Sequence, residues 1–222
     1  MQPTASPRSV RIAVDIGGTF TDIEILDEAT GQTFAVKTPT TPDDPSEGLI
    51  TGLRLAGETV GFRFSDISAL MHGTTIATNA VLQRRLPKGA LITTAGFEDV
   101  LEIGRHFRKQ VYASKAEPRV ILIPRAWRLG IRERTLAAGT IETPLDEAEV
   151  QRLAEKFKAG GIQCVAVCLL HAYANAEHEK RIGELLTKYV PELDVSLSHE
   201  VSPEIREFER SSTTVLNALL MP

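Results

Sequence analysis

Cysteine is scarce in this sequence, which has two cysteines among 222 residues. That number excludes a small scaffold held together by disulfides. Cys164 and Cys168 fall in one predicted strand, where four residues separate their α-carbons by roughly 13 Å, too far for a disulfide bond. We therefore expect two buried, reduced thiols and a cytoplasmic protein.

Long apolar runs are also missing, which argues against a membrane protein. The longest run, Cys164 to Leu170, is far shorter than the roughly 18 residues that cross a bilayer. Residues 1–9 contain two prolines and no hydrophobic stretch. They do not resemble a secretory signal, and we expect them to form a flexible arm.

The sequence carries no excess of basic residues. It has 25 lysines and arginines against 29 aspartates and glutamates, a net charge of −4. Because nucleic-acid affinity comes mainly from phosphate neutralisation, this balance argues against a general nucleic-acid-binding protein. A small anionic ligand is still compatible with it, because backbone amides can hold such a ligand.

What is present is an ordinary globular composition with alternating strands and helices. Hydrophobic residues make up 42% and charged residues 24%, typical of a soluble domain with a sizeable core. Three short segments joined by tight turns, residues 10–16, 21–27 and 33–37, predict an antiparallel meander. In the last third, helix and strand patterns alternate, which predicts an α/β layer.

Several element boundaries can be predicted from local signals. Residues 162–170 are apolar enough for a central, fully buried strand, and Asp146 with Glu149 predicts a helix cap. Ser202 and Pro203 predict the start of the final helix. Another helix is predicted over residues 97–104, where apolar residues share one face.

The strongest chemical signal is the segment from Asp15 to Asp22, DIGGTFTD. A predicted strand ends there in a carboxylate, and Gly17 and Gly18 allow the backbone to approach a ligand closely. Their amides can form a concavity for an anion. The segment matches neither the Walker loop nor the dinucleotide fingerprint. The alternative is a plain hairpin with a Gly-Gly turn.

Other side chains of this segment add ligand-binding chemistry. Thr19 and Thr21 supply hydroxyl donors. Asp15 and Asp22 flank the turn and could hold a magnesium ion through its water molecules. The concentration of these residue types favours a loop that binds the β- and γ-phosphates of a nucleotide.

A second segment, residues 72–79 (HGTTIATN), places small hydroxylated residues where a predicted turn, residues 73–75, leads from a strand into a helix. Free amides and the helix dipole attract anions there. Asn79 could reach the same side as Thr75, one helical turn earlier. Ordinary helix capping by Thr74 or Thr75 is the favoured alternative.

A third segment, residues 93–99, has the same strand-to-helix form, at the kind of position where α/β sheets bind ligands. The nearby Glu102, Arg105 and His106 could face a substrate, although a solvated helix face explains each of them more simply. The other histidines lack the spacing of a helical zinc site.

Together these segments resemble the hydantoinase A and 5-oxoprolinase family. The resemblance covers nearly the whole chain from about Arg11 and rests on five ordered motifs: DIGGTFTD (15–22), HGTTIATNAVLQR (72–84), ALITTAGFEDVLEIGR (90–105), VAVCLLHAY (165–173) and SLSHEVSPEIREFERSSTT (196–214). It is specific for the family but not for the substrate.

The resemblance implies an actin-like, ribonuclease-H-type ATPase fold, with a mixed sheet and flanking helices. It implies that ATP and Mg²⁺ activate the amide oxygen of a cyclic amide, whose ring then opens by hydrolysis. The implied phosphate-binding residues are Gly17, Gly18, Thr19, Thr21, Thr74 and Thr75. The implied catalytic residues are Asp15, Asp22 and His72, of which the two aspartates would serve magnesium.

Relatives in this family have a longer chain with a second lobe, and they usually need a hydantoinase B-type partner. We therefore expect residues 10–222 to be one lobe of a two-lobed chain, able to fold but unable to hydrolyse ATP alone. Two alternatives stay open, a lobe of an ATP-dependent ketone carboxylase subunit and a non-catalytic binding module. The sequence leaves homo-oligomerisation open as well.

Overall fold

The computed structural model describes residues 8–41, 44–105, 112 and 121–222. The chain divides into two compact units, Met1–Arg85 and Leu86–Pro222. The segment predicted as one lobe, residues 10–222, thus contains both units, and each unit has its own sheet. Most of the predicted flexible arm, residues 1–7, lies outside the described residues.

The first unit is built on a mixed sheet with the strand order β3-β2-β1-β4. The strands are β1 (Val10–Ile16), β2 (Phe20–Asp27), β3 (Thr33–Pro39) and β4 (Ile67–Thr74). The first three form the predicted antiparallel meander, and β4 runs parallel to β1. Buried and exposed residues alternate along β1 and β2, so one face of the sheet meets the core and the other is exposed.

Two helices complete the first unit. Helix α1 (Pro45–Val60) packs on the buried face through Leu53 and Ala56. Its cap is Asp44, whose carboxylate accepts a hydrogen bond from the Ser46 amide at 2.9 Å. Helix α2 (Ile76–Gln83) follows β4 directly.

The predicted turn over residues 73–75 is wrong in part. Gly73 and Thr74 belong to β4, because they extend its parallel pairing with β1 to Asp15 and Ile16. The change of direction into α2 therefore takes place at Thr75, which precedes the first helical residue.

The second unit is built on a parallel sheet with the strand order β10-β9-β5-β6. The strands are β5 (Gly89–Thr94), β6 (Arg128–Ile131), β9 (Cys164–Cys168) and β10 (Asp194–Leu197). Every residue of β5 and β9 is buried. The predicted central buried strand is thereby confirmed, although it is shorter than residues 162–170.

Helices cover both faces of the second sheet. On one face lie α4 (Glu147–Gly160) and α5 (Glu177–Tyr189), and on the other lies α7 (Glu207–Leu220). The predicted α4 cap is confirmed, since the Asp146 carboxylate accepts from the Glu149 amide at 3.2 Å. The shorter elements are α3 (Val100–Ile103), β7 (Arg134–Thr135), β8 (Ile141–Thr143) and α6 (Ser198–Val201).

The final helix starts later than its sequence predicts. Residues 198–201 form α6, and α7 begins at Glu207, not at Ser202 or Pro203. The buried Arg210 explains the delay, because its guanidinium donates to the Glu204 carbonyl at 2.8 Å and holds that backbone outside the helix.

The helix predicted over residues 97–104 is also shorter than expected, since only Val100–Ile103 is helical. The Glu98 carboxylate accepts from the Gly96 amide at 3.1 Å. Such a local side-chain bond offers the backbone an alternative to the helix.

Both cysteines are free and buried, as predicted. Among the helices of the described ranges, none is both long enough and apolar enough to span a membrane.

Candidate functional site

The loop of residues 17–19 joins β1 to β2 in a tight turn. The Gly17 amide donates to the Phe20 carbonyl at 2.9 Å, and a β-carbon at Gly17 would stand 2.9 Å from that same oxygen. Any other residue would therefore force the loop to shift. Gly18 and Thr19 are exposed, and their amides have no hydrogen-bond partner in the described part of the first unit. Consecutive free amides in a turn can hold an anion.

Thr40 fixes this loop from the end of β3. Its hydroxyl donates to the Gly17 carbonyl at 2.8 Å, and its amide donates to the Thr19 carbonyl at 2.9 Å. Thr40 was not identified from the sequence, because no local pattern marks it.

Thr21 also supports this loop. Its side chain is fully buried, and its hydroxyl oxygen lies 3.0 Å from the Thr40 hydroxyl oxygen. Because the Thr40 proton is already donated to Gly17, Thr21 is the donor of this bond. The Thr21 proton is thus used inside the protein in this structure, and the phosphate contact implied for Thr21 stays a prediction.

Four residues form one row across the sheet, one from each strand. Asp15 of β1 pairs with Gly73 of β4 on one side and with Asp22 of β2 on the other, and Asp22 pairs with Lys37 of β3. All four are exposed. We call Gly73, Asp15, Asp22 and Lys37 the charge row, and the face that carries them the outer face.

The two carboxylates of the charge row have different surroundings. The Lys37 ammonium lies 2.9 Å and 3.2 Å from the two Asp22 carboxylate oxygens, and 5.2 Å from the centroid of the Phe20 ring. The Asp15 carboxylate has no hydrogen bond or ion pair with any residue of the described ranges. A β-carbon at Gly73 would meet nothing within 4 Å, so the space beside Asp15 is open.

The second motif reaches the same edge of the sheet, but not all of it reaches the same face. His72 pairs with Val14, whose side chain is buried. Because neighbouring strand residues alternate in direction, His72 leaves the sheet on the face opposite to Asp15. The Thr74 hydroxyl donates to the Ile16 carbonyl at 3.0 Å. The structure therefore does not bring His72 onto the outer face with the carboxylates.

The start of α2 lies next to the glycine loop. The Asn79 side-chain amide donates to the Thr75 hydroxyl at 3.3 Å, which confirms the predicted proximity of these two residues. The Asn79 nitrogen would lie 4.0 Å from a β-carbon at Gly18. A polar amide and a hydroxyl thus stand beside the free loop amides.

The third motif belongs to the second unit, and its polar groups are used within the fold. The Thr94 hydroxyl donates to the Glu133 carboxylate and accepts from the Leu170 amide at 2.9 Å. Glu102 and Arg105 form ion pairs with Arg128 and Glu209. His106, the third suggested substrate contact, lies outside the described residues.

Three histidines of the second unit also have partners. His178 lies 2.8 Å from the buried Glu133 carboxylate, and His199 lies 2.8 Å from the buried Glu179 carboxylate. His171 lies 3.2 Å from the Tyr173 hydroxyl. In the described parts of the chain, no group of three or more histidine, cysteine or carboxylate side chains could hold a metal ion.

Comparison with known proteins gives a consistent set of relatives. Residues 11–190 match the family described as the hydantoinase/oxoprolinase N-terminal region. The crystal structure of an ATP-dependent caprolactamase from Pseudomonas jessenii is 34% identical with a TM-score of 0.81, covering 96% of this chain and 31% of that chain.

Two carboxylases are also similar to this chain. The gamma subunit of acetophenone carboxylase from Aromatoleum aromaticum is 35% identical over 94% of this chain and 31% of its own length. A nucleotide-free acetone carboxylase structure has a TM-score of 0.85 at 26% identity, covering 96% of this chain and 32% of that chain. The chain spans about a third of the length of the caprolactamase alpha subunit and of the acetophenone carboxylase gamma subunit.

Proposed function

This chain belongs to the hydantoinase/oxoprolinase family, whose amino-terminal region it matches, and we propose that it forms the phosphate-binding lobe of an ATP-dependent enzyme that opens a cyclic amide. The expected fold is confirmed, because mixed α/β structure with flanking helices, shared with caprolactamase and acetone carboxylase, fits an actin-like lobe.

The observation that carries the proposal is the pair of free amides at Gly18 and Thr19. They lie in a loop that is fixed by the hydrogen bonds from Thr40 to the Gly17 and Thr19 carbonyls, so the loop does not have to reorganise when an anion binds. Preorganised donors of this kind stabilise phosphoryl oxygens at little cost. Their position next to Asp15 combines an anion site with a carboxylate, as a metal-bound nucleotide requires.

Magnesium fits the outer face at Asp15. The exposed Asp15 carboxylate has no partner among the described residues, and the open position at Gly73 leaves room beside it for a hydrated ion. Magnesium keeps several of its waters when it binds through one or two carboxylates. When bound, it would neutralise part of the phosphate charge.

Activation by ATP suits an amide substrate. Resonance makes an amide carbon a poor electrophile and its oxygen a poor leaving group. Transfer of the γ-phosphoryl group to the amide oxygen releases ADP and forms an imidate-like phosphate. Water then adds to the carbon, and the adduct loses its nitrogen, which takes up the hydroxyl proton, so that cleavage of the C–N bond opens the ring and leaves an acyl phosphate. A second water hydrolyses the acyl phosphate to a carboxylate and free phosphate.

Carboxylation of a ketone is the second candidate function. It is favoured by the similarity to the acetophenone and acetone carboxylases. Their matches cover 94% and 96% of this chain, and the match to caprolactamase covers 96%. The same phosphate-binding lobe serves both, because each activates a poorly reactive carbonyl oxygen. We propose the hydrolase as the leading function, acting in the cytoplasm with a hydantoinase B-type subunit or domain.

Nucleotide binding tests the proposal directly. In the full-length protein, Gly18→Val should abolish ATP binding by blocking the loop amides, while the thermal unfolding temperature stays close to the parent value. Ala29→Val, in the exposed turn between β2 and β3, adds the same kind of bulk far along β2 and should bind ATP normally. Normal ATP affinity in Gly18→Val would remove the loop from the nucleotide site.

Substrate profiling separates the two candidate functions. ADP release should rise with a lactam or a hydantoin and should not need bicarbonate. Bicarbonate-dependent turnover of a ketone would instead support the carboxylase. Residues 1–222 alone should fold but not turn over ATP, since phosphoryl transfer needs groups placed on more than one side of the nucleotide.

A further inference from the structure

Lys37 lies at one end of the charge row, and Gly73 lies at the other end. The Lys37 ammonium has two neighbours on the outer face. The ammonium is bound by both oxygens of Asp22 and lies over the Phe20 ring, next to the glycine loop. From β4 to β3, the row starts with the open space at Gly73, continues with the carboxylates of Asp15 and Asp22, and ends at the Lys37 ammonium, which pairs with Asp22. Charges of both signs thus lie in one line across three strands, β1, β2 and β3.

Stability alone does not account for this pair. The Lys37 and Asp22 side chains are 56% and 51% exposed, and exposed ion pairs of this kind contribute little to folding. Asp15 lies directly opposite Asp22 on the neighbouring strand, and like charges in such a pair destabilise the pairing of β1 with β2. An arrangement that gains so little stability suggests a role in binding.

We infer that Lys37 contacts a phosphoryl group of the bound nucleotide and that Asp22 is the residue that positions it. This inference rests on the proposed function and revises the magnesium role implied for Asp22. The row lies two residues before the loop, roughly 7 Å along the strands. A triphosphate that reaches the Gly18 and Thr19 amides can therefore also reach the Lys37 ammonium.

Asp15 and Lys37 then meet opposite charges of one ligand. The cation of a metal-bound triphosphate would face the free Asp15 carboxylate, and a phosphoryl oxygen would face Lys37. Asp22 keeps the lysine side chain extended over the outer face. Because its own charge is neutralised, Asp22 does not repel the phosphate.

Nucleotide affinity measured by calorimetry on the full-length protein tests this inference. Lys37→Met should weaken ATP binding roughly 10- to 100-fold, the usual worth of a hydrogen bond to a charged group. Its affinity for AMP, which lacks the β- and γ-phosphates, should not change. Lys37→Arg keeps the charge and should keep most of the ATP affinity.

Arg11→Met is the matched control. Arg11 lies on the outer face of the same sheet, is 58% exposed and pairs with Glu28 at 2.7 Å. It lies four residues before Asp15, roughly 13 Å along β1. Its loss removes a similar surface ion pair without touching the charge row, and ATP affinity should stay at the parent value.

A double-mutant cycle tests the positioning role of Asp22. Asp22→Asn should weaken ATP binding in the parent background but not in Lys37→Met, because both changes act through the same ammonium. Additive losses would overturn the positioning role. Equal ATP affinities in Lys37→Met and Arg11→Met would overturn the phosphate contact alone. A parent protein that binds no ATP would instead refute the proposed function and this inference with it.

Discussion

The Thr40 hydroxyl donates to the Gly17 carbonyl at 2.8 Å, although 23 residues separate them in the chain. With the bond from the Thr40 amide to Thr19, this contact ties the end of β3 to the turn between β1 and β2. The shape of the candidate phosphate loop therefore depends on a residue outside the glycine motif.

Replacing Thr40 by valine removes the hydroxyl and keeps the shape of the side chain. We expect Thr40→Val to lower the free energy of unfolding by about 1–3 kcal/mol, because the buried Thr21 hydroxyl loses its acceptor. ATP affinity should fall too, since the loop becomes free to rearrange. Urea denaturation and calorimetry measure the two effects. Thr40→Ser retains the donor and should resemble the parent, and a fully stable Thr40→Val protein with normal affinity would contradict this account.

Asp15 should be more important for binding than for folding. Asp15→Asn removes the repulsion from Asp22, so the protein should be as stable as the parent or more stable by up to about 1 kcal/mol. ATP binding should no longer be strengthened by magnesium. The measurement is the ratio of ATP affinities with Mg²⁺ and with EDTA, alongside a thermal melt.

Glu24→Gln offers a control for Asp15 on the same outer face. Glu24 of β2 pairs with Ala13 and Ala35, so its charge lies one step outside the charge row. Its magnesium ratio should equal that of the parent. If Asp15→Asn also keeps the parent ratio, Asp15 is not the metal-facing carboxylate.

Local signals were sufficient to predict much of the first unit. The alternating strands and the Gly-Gly turn depend on residues that are adjacent in the sequence, so the meander and its loop can be predicted from it. The burial of Thr21 was also within reach, because it shares the strand face of Ile23 and Ile25.

Contacts between distant segments explain what the sequence did not reveal. Lys37 reaches Asp22 only through the register of β2 and β3, and no local pattern marks it. The late start of α7 has the same origin, since it depends on the buried Arg210 and its bond to the Glu204 carbonyl. The position of His72 required the β1–β4 register.

Glu179 should be essential for the stability of the second unit. Its fully buried carboxylate accepts bonds from the amides of Leu169 and His199, each at 2.9 Å, from the Ser198 hydroxyl at 2.6 Å and from the His199 ring at 2.8 Å. Glu179→Gln replaces one acceptor oxygen by an amide group that faces donors, at an expected cost of about 3–5 kcal/mol.

Urea denaturation measures the loss at Glu179. Glu177→Gln is the matched control, because Glu177 lies in the same first turn of α5 but is exposed. Its change should stay within about 0.5 kcal/mol. Equal stabilities of the two variants would show that the buried bonds to Glu179 contribute nothing net.

The Cys164 thiol should make the protein less stable in alkaline solution. Burial, with a smaller contribution from the Asp194 carboxylate, raises the pKa of Cys164 from 9.0 to about 11. Between these values the folded state holds a proton that the unfolded chain releases. Stability from this thiol is therefore complete below about pH 9 and is lost as the pH rises toward 11, by at most about 1.4 kcal/mol per pH unit.

Cys164→Ala isolates this effect from the lysines, the tyrosines and Cys168, which also titrate in alkaline solution. The free energy of unfolding should fall less steeply between pH 9 and pH 10.5 in the variant than in the parent, whatever the difference between them at neutral pH. Urea titrations at several pH values give both slopes. Parallel slopes would mean that Cys164 ionises as easily in the folded chain as in the unfolded one. The thiol would then have to reach water, which its complete burial between β5 and α7 does not allow.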